Sequence, residues 1–495
     1  MSSGRDDGSA VGNESELRSH DDTTQAFFDH STAKRINTDT LIAKTLATQY
    51  PNLELIIVPL GNNNLLAYAA AGFATFEAVE ETDNALPTPL SWTMYRPPAR
   101  RIDGNVGALG EKLNFGKFIY RWKGEEFILY VVDTRDGDMY YSAAINQYLL
   151  TTERQKADAL LLEAGRWAFE LHGEIFVFDQ GYWQKNAELY QSIMKASWEN
   201  VILDADMKES IIQDHLSFFD SRDTYQRLQV PWKRGIIYHG PPGNGKTISI
   251  KAMMHTLYTR KEPIPTLYVR SLTSYSGPEF SLRMIFQKAR EFAPCYLVFE
   301  DLDSIVSDKV RSYFLNEVDG LKNNDGIFMV GSTNHLDRLD PGISKRPSRF
   351  DRKYYFPDPN LEQRTAYCKF WQSKLSDNED IDFPDKLCTA IAEITDKFSF
   401  AYMQEAFVAA LLAIARRTKG SSGSRRHSEE ASTRDMGDGW LGICAVGEGN
   451  DLMELVLWVE IKKQVEILRE GMETKKGVEL VELFDIDQTY KDFEL

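Results

Sequence analysis

The segment "IIYHGPPGNGKTISI", residues 236–250, constrains this chain more tightly than any other. A short apolar run reads as a buried strand, and a helical segment begins after Thr247. Between them, Gly240 to Thr247 fits G-x-x-x-x-G-K-T. In a strand–loop–helix context that spacing describes a loop that cradles phosphates. Glycines let backbone N–H groups approach a phosphate closely, and the helix N-terminus adds positive potential. Lys246 is placed to reach the β- and γ-phosphates, and the Thr247 hydroxyl to ligate Mg²⁺. The candidate nucleotide-binding set is Gly240, Pro241, Pro242, Gly243, Asn244, Gly245, Lys246, Thr247 and Ile248.

Such a loop needs an acid from a second strand. "YLVFEDLDS" supplies four apolar residues and then Glu300 and Asp301. Adjacent acids at the end of a buried strand point to a cation. Glu300 would hold the magnesium shell, and Asp301 would orient and deprotonate an attacking water.

The rest of the chain supports an α/β reading. From about residue 199 short apolar runs ("GIIYH", "TLYVR", "YLVF", "IFMVGS", "KYYF") alternate with amphipathic segments such as "EFSLRMIFQKAREF". Apolar strands between helices indicate a parallel sheet covered on both faces. At 495 residues the chain is too long for one ordinary core. Residues 1–30 are polar and read as a disordered tail, and 31–198 as a mixed α/β substrate or adaptor domain. In it, "KFIYRW" and "EFILYVVD" flank "KGE" as a hairpin, followed by the helix "ADALLLEAGRWAFELH" and the strand "EIFVF". Residues 199–360 form the large α/β domain. Residues 361–495 form a helical domain with a flexible insertion at 418–439, which is rich in Gly and Ser, and a C-terminal tail. "RPPARR", at 96–101, reads as an exposed loop.

The net charge of −17 argues against a nucleic-acid backbone as partner. The four cysteines, Cys295, Cys368, Cys388 and Cys444, follow no metal or redox spacing, so a reducing compartment is expected, cytoplasmic or nuclear. The apolar stretch "LELIIVPLGNNNLLAYAAAGF" is interrupted by Pro59, Gly61 and asparagines, so no membrane span is expected there.

Taken in order, "KRGIIYHGPPGNGKT", "FEDLDSI", "GSTNHLDRLDPGISKRPSRFD" and "KFSFAYMQEAF" resemble the AAA family of ATPases over about 199–417. The resemblance implies a P-loop domain with a five-stranded parallel sheet, a small helical lid, bound ATP and Mg²⁺, and a homohexameric ring. It also implies a sensor role for Asn334 and a neighbour-reaching role for Arg346 and Arg349, with the finger being either arginine. "TSYSGPEF" is similar to the loop that faces the ring's channel, where Tyr275 would grip a client chain or, alternatively, pack in the loop. Two departures stand out. The acid pair runs Glu–Asp where most of the family has Asp–Glu, and one extra residue precedes Arg346.

Residues 200–247 look like the branch of the mitochondrial translocase for the Rieske iron–sulfur protein, whereas 338–364 are closer to a soluble fungal AAA group. The resemblance implies ATP hydrolysis coupled to remodelling, unfolding or disassembly of a protein client. A nucleotide-gated scaffold with little turnover, a translocase-like chaperone at a membrane and a DNA-handling ATPase are the rival readings.

Overall fold

The computed structural model describes residues 37–80, 89–98, 106–134, 145–319, 323–346, 349–378, 381–422 and 455–489, with residues 29, 32–34 and 452. Residues 423–439 of the expected insertion and most of the N-terminal tail lie outside the described residues, as do Cys444 and part of the 96–101 loop, whereas 418–422, expected to be part of that insertion, continue a helix that begins at Phe400. Two compact units emerge, residues 1–170 and 171–495.

The first unit is a six-stranded antiparallel sheet with helices. In chain order it contains α1 (Thr38–Gln49), β1 (Glu54–Pro59), α2 (Leu65–Ala70), β2 (Thr75–Ala78), β3 (Leu90–Arg96), β4 (Ala108–Trp122), β5 (Glu125–Asp133), β6 (Ile145–Thr151) and α3 (Arg154–Phe169). Lys123 and Gly124, which join β4 to β5, both have positive φ (49° and 83°). That is the conformation a two-residue hairpin turn needs to match strand twist. Alternation along the strands builds two cores. Leu129 and Leu149 face α2 and α3, while Tyr130, Tyr148 and Leu150 pack with Leu46 of α1.

The second unit opens with the hairpin β7 (Ile175–Asp179) and β8 (Tyr182–Asn186), then α4 (Ala187–Met194), α5 (Ala205–Asp220) and α6 (Arg222–Leu228). The alternating region follows: β9 (Arg234–His239), α7 (Lys246–Tyr258), β10 (Thr266–Val269), α8 (Pro278–Glu291), β11 (Cys295–Phe299), α9 (Leu302–Ile305), α10 (Asp308–Asp319), β12 (Ile327–Thr333), α11 (Pro341–Ser344) and β13 (Arg352–Tyr355). The sheet order is β13-β9-β12-β11-β10-β7-β8.

The expected five parallel strands are β9 to β13, but the sheet has seven. Strand β7 pairs parallel with β10, Leu267 opposite Phe176, and β8 folds back antiparallel on β7. A domain boundary at 198/199 therefore falls inside the second unit, and the compact units divide at 170/171. The physical reason is that every residue of "IFVF" is buried, so this run needs a neighbour on an edge of the sheet.

Every residue of β11 is buried, as a central parallel strand requires. Cys295, Leu297 and Phe299 face the core under α8 and α10, and Tyr296 and Val298 face the core under α5 and α7. The helical part comprises α12 (Leu361–Lys374), α13 (Asp385–Ile394), α14 (Phe400–Ser422) and α15 (Val456–Thr489). Its own core gathers Cys368, Trp371, Leu387, Ile391, Phe407 and Ile461. Trp371 stacks on Phe407 at 5.1 Å. Cys295, Cys368 and Cys388 are buried free thiols. Among the described residues no helix is long and apolar enough to cross a membrane.

His215, on α5, is fully buried against the sheet. Its Nδ1 lies 2.7 Å from the Ile211 carbonyl, its Nε2 lies 3.3 Å from the Tyr296 hydroxyl, and its ring is 4.3 Å from Phe328. Burial pushes its pKa down to about 4, against the opposing pull of the Ile211 carbonyl and Asp214. In the unfolded chain the imidazole titrates near 6.5, so between about pH 6.5 and 4 the unfolded state binds the extra proton. Stability should therefore fall as pH drops through that window, by up to about 3 kcal/mol from this residue. Urea unfolding of the wild type and of His215→Phe at pH 7 and pH 5 should differ in pH dependence by about 2 kcal/mol, the variant being flatter. Equal dependence would remove His215 as the source.

Candidate nucleotide site

The site begins where β9 runs out. Gly240 has φ 140°, and a Cβ there would sit 2.3 Å from the Phe356 carbonyl oxygen just past β13. At Gly243, φ 80°, a Cβ would lie 2.5 Å from Cβ of Ala401 on α14. Neither position has room for a side chain, so glycine is dictated by two close approaches as well as by backbone conformation. The loop is tied to α14 by the Ala401 N–H, which donates to the Gly243 carbonyl at 3.2 Å. Gly245 then caps α7 without a side-chain hydrogen bond, which leaves the helix's first N–H groups facing outward.

A pocket of about 400 Å³ lies over this helix end. Pro242, Gly243, Gly245, Lys246, Thr247 and Ile248 line it, together with Asp301, Ser332 and Asn334 from the strand ends. Gly240, Pro241 and Asn244 shape the loop instead of lining the pocket. Asn244 is turned away, its Nδ2 donating to Asp358 at 2.8 Å. The buried Lys246 ammonium donates to the carbonyls of Gly240 (2.6 Å) and Pro241 (2.8 Å). Burial lowers its pKa, and Asp301 and Asp303 oppose that shift.

The acids divide between two cavities. Asp301 takes a left-handed conformation (φ 52°), and its N–H donates to Ser332 Oγ at 3.3 Å. It lines the nucleotide pocket and also an adjacent cavity of about 620 Å³. Glu300 lines only the second. Its Oε2 accepts the Tyr268 hydroxyl at 2.5 Å, and its Oε1 is buried with no hydrogen-bond partner. Asp303, one turn on, accepts the Thr333 hydroxyl at 2.6 Å and so fixes the end of β12 that carries Asn334.

These donors suit magnesium. Among the described residues no cluster of His, Cys, Asp or Glu makes an all-protein cage. Mg²⁺ is ordinarily held by one or two protein oxygens plus phosphates and water. An orphaned buried carboxylate oxygen at Glu300 and the exposed Thr247 hydroxyl fit that mode.

The two arginines differ. Arg349 is buried and makes a bidentate pair with Asp319, Nε to Oδ1 at 2.9 Å and Nη2 to Oδ2 at 2.6 Å, while Nη1 donates to the Gly342 carbonyl. Arg346 is exposed (65%), 3.8 Å from the same carboxylate. Tyr275 is fully exposed in the loop between β10 and α8, so its ring does not pack in the loop.

The pocket's other wall was not read from the sequence. Asn200, Val201 and Ile202 enter it from the segment before α5, and Tyr367, Phe400, Ala401 and Gln404 from α12 and α14. Tyr367 and Phe400 lie 5.2 Å apart. The run "KFSFAYMQEAF" carries a signal for the α14 residues. Nothing local marks Val201, which only the fold brings to the loop.

Residues 236–358 match the family described as "ATPase family associated with various cellular activities (AAA)". The chain is also similar to the ATPase histone chaperone YTA7 of Saccharomyces cerevisiae, 31% identical over 184 residues, which is 33% of this chain and 13% of that protein. The ATPase histone chaperone abo1 of Schizosaccharomyces pombe is 28% identical over 211 residues, 40% of this chain and 17% of that one. The match thus spans less than a fifth of either relative's length.

The arginine geometry separates a structural role from an exposed one. Arg349→Ala should lower stability by about 2 kcal/mol, because it removes charge-assisted bonds and strands the Gly342 carbonyl. Arg346→Ala should change it by less than about 0.5 kcal/mol. Thermal or urea unfolding of the two variants checks this, and the opposite ranking would refute it.

Proposed function

We propose, on the premise that residues 236–358 are an AAA-family domain, that this chain binds Mg·ATP and hydrolyses it to do mechanical work on a protein client. The observation that carries the reading is the single pocket that joins the glycine loop, Lys246 and Thr247 to Asp301, Asn334 and the α12–α14 wall. The triphosphate would lie along the loop and the first N–H groups of α7. Lys246 would exchange its loop carbonyls for the β- and γ-phosphates. The base would sit against Val201, Ile202, Tyr367 and Phe400. Bound Mg²⁺ would neutralise charge on the β- and γ-oxygens.

In this reading Asp301 and Asn334 position the attacking water, with Asp301 accepting its proton. Glu300 faces the metal's water shell. The hydrogen bonds of Arg349 are satisfied within its own chain, so Arg346 is the arginine available to a neighbouring subunit in a ring. The exposed Tyr275 is available to a client. Both relatives are named as histone chaperones, so a basic protein client is the first to test. The net charge of −17 has the complementary sign.

Three variants test the reading by phosphate release and nucleotide titration. Lys246→Ala should lose measurable Mg·ATP binding. Asp301→Asn should bind but hydrolyse about two to four orders of magnitude more slowly. Arg346→Ala should bind ATP yet lose about 10³-fold or more in turnover. Mixed with Lys246→Ala, it should regain partial activity that rises with protein concentration, since some interfaces then pair an intact lysine with an intact arginine. A chain that binds ATP but shows no turnover above the Asp301→Asn background would instead favour a nucleotide-gated scaffold.

A further inference from the structure

The Glu–Asp order of the acid pair leaves a physical problem. A glutamate carries one more methylene than an aspartate, so its carboxylate has one more torsion to fix and a longer reach. Something must hold it if it is to face a metal's water shell in one orientation. The structure supplies a restraint from the neighbouring strand. β10 and β11 run parallel with Tyr268 opposite Val298. Side chains two residues apart on a strand share a face, so Glu300 lies on the same face as Val298 and one step beyond it. The Tyr268 ring, packed beside Val298 in the core under α5 and α7, reaches that far. Its hydroxyl donates to Oε2 of Glu300 at 2.5 Å. The other oxygen, Oε1, is buried and has no hydrogen-bond partner.

We propose that Tyr268 is a positioning residue: it ties down one oxygen of Glu300 so that the other stays presented, as an open acceptor, to the water shell of the magnesium that accompanies the nucleotide. The inference rests on the functional reading above and deepens it at one residue. One further consideration supports the geometry. An acceptor left unpaired in a buried setting is costly unless something uses it. Tyr268 touches neither nucleotide nor water in this scheme and acts only through Glu300.

The test is the magnesium dependence of nucleotide binding in the full chain, read with a fluorescent ATP analogue and needing no turnover. Tyr268→Phe keeps the ring and its packing and removes one hydroxyl. It should raise the half-saturating Mg²⁺ concentration about tenfold, the lower end of what losing an outer-shell partner of a metal ligand costs. Binding of the analogue in EDTA, which depends on the loop and Lys246, should stay within about twofold of wild type. In a Glu300→Asp background the shorter acid no longer reaches the phenol. There the same tyrosine change should shift the magnesium midpoint less than about twofold.

An unchanged midpoint in Tyr268→Phe, in a wild type whose binding does depend on magnesium, would overturn the assignment while leaving the functional reading intact. An undiminished effect in the Glu300→Asp background would also overturn it, since Tyr268 would then act through some other group. A wild type that binds no ATP with or without magnesium would overturn both.

Discussion

The site depends on a close approach of backbones. The loop from Gly240 to Gly245 is clamped between the chain that follows β13 and the start of α14, with no room for a Cβ at Gly240 or Gly243. Because the Ala401 N–H donates to the Gly243 carbonyl, the helical part is coupled directly to the phosphate loop. A change in the loop caused by a bound phosphate must be met by a shift of α14, or by loss of that bond. In the proposed function this bond would link nucleotide state to movement, and it is a backbone contact that side-chain substitutions elsewhere cannot replace.

Around that clamp the polar groups divide between those paired within the chain and those left exposed. Arg349, Asp303 and Asn244 have partners inside the chain: Asp319, Thr333 and Asp358 respectively. They hold the shape of the site. Arg346, Thr247 and Asp301 are exposed and suited to meet something from outside. Asp319 lies beside both arginines, and its carboxyl is held below the usual range, chiefly by the hydrogen bond from Arg349. It therefore remains an anion at neutral pH. It holds one arginine firmly and leaves the other only a long contact, so one loop carries a structural residue and an available one three positions apart.

The sheet extends further than a minimal nucleotide domain requires. β7 and β8 widen it at the β10 edge, and the fully buried Phe178 and the half-buried Trp183 join the same core as Phe286 and Phe299. Trp183 also donates from its indole to the Met284 carbonyl on α8. The loop carrying Tyr275 connects β10 to α8, so the added hairpin braces both elements from which that loop springs.

Much of this was legible locally. The P-loop, the acid pair after an apolar strand, the alternation of strand and helix and the Lys123–Gly124 hairpin all follow from short-range rules. Periodicity, glycine conformation and the run of apolar residues act over a few positions, and the sequence displays them directly. The membership of "EIFVF" was not legible, since a buried strand has no mark that says which sheet it joins; its long-range pairing with β10 decided that. The sequence could not say which of Arg346 and Arg349 is free, because the answer lies in Asp319, some thirty residues away and brought close by packing. Nor could it show that Val201, Tyr367 and Phe400 close the pocket, or that Tyr268 reaches Glu300. Those contacts join segments distant along the chain, and only the closing of the sheet and the docking of α14 on the loop bring them within bonding distance.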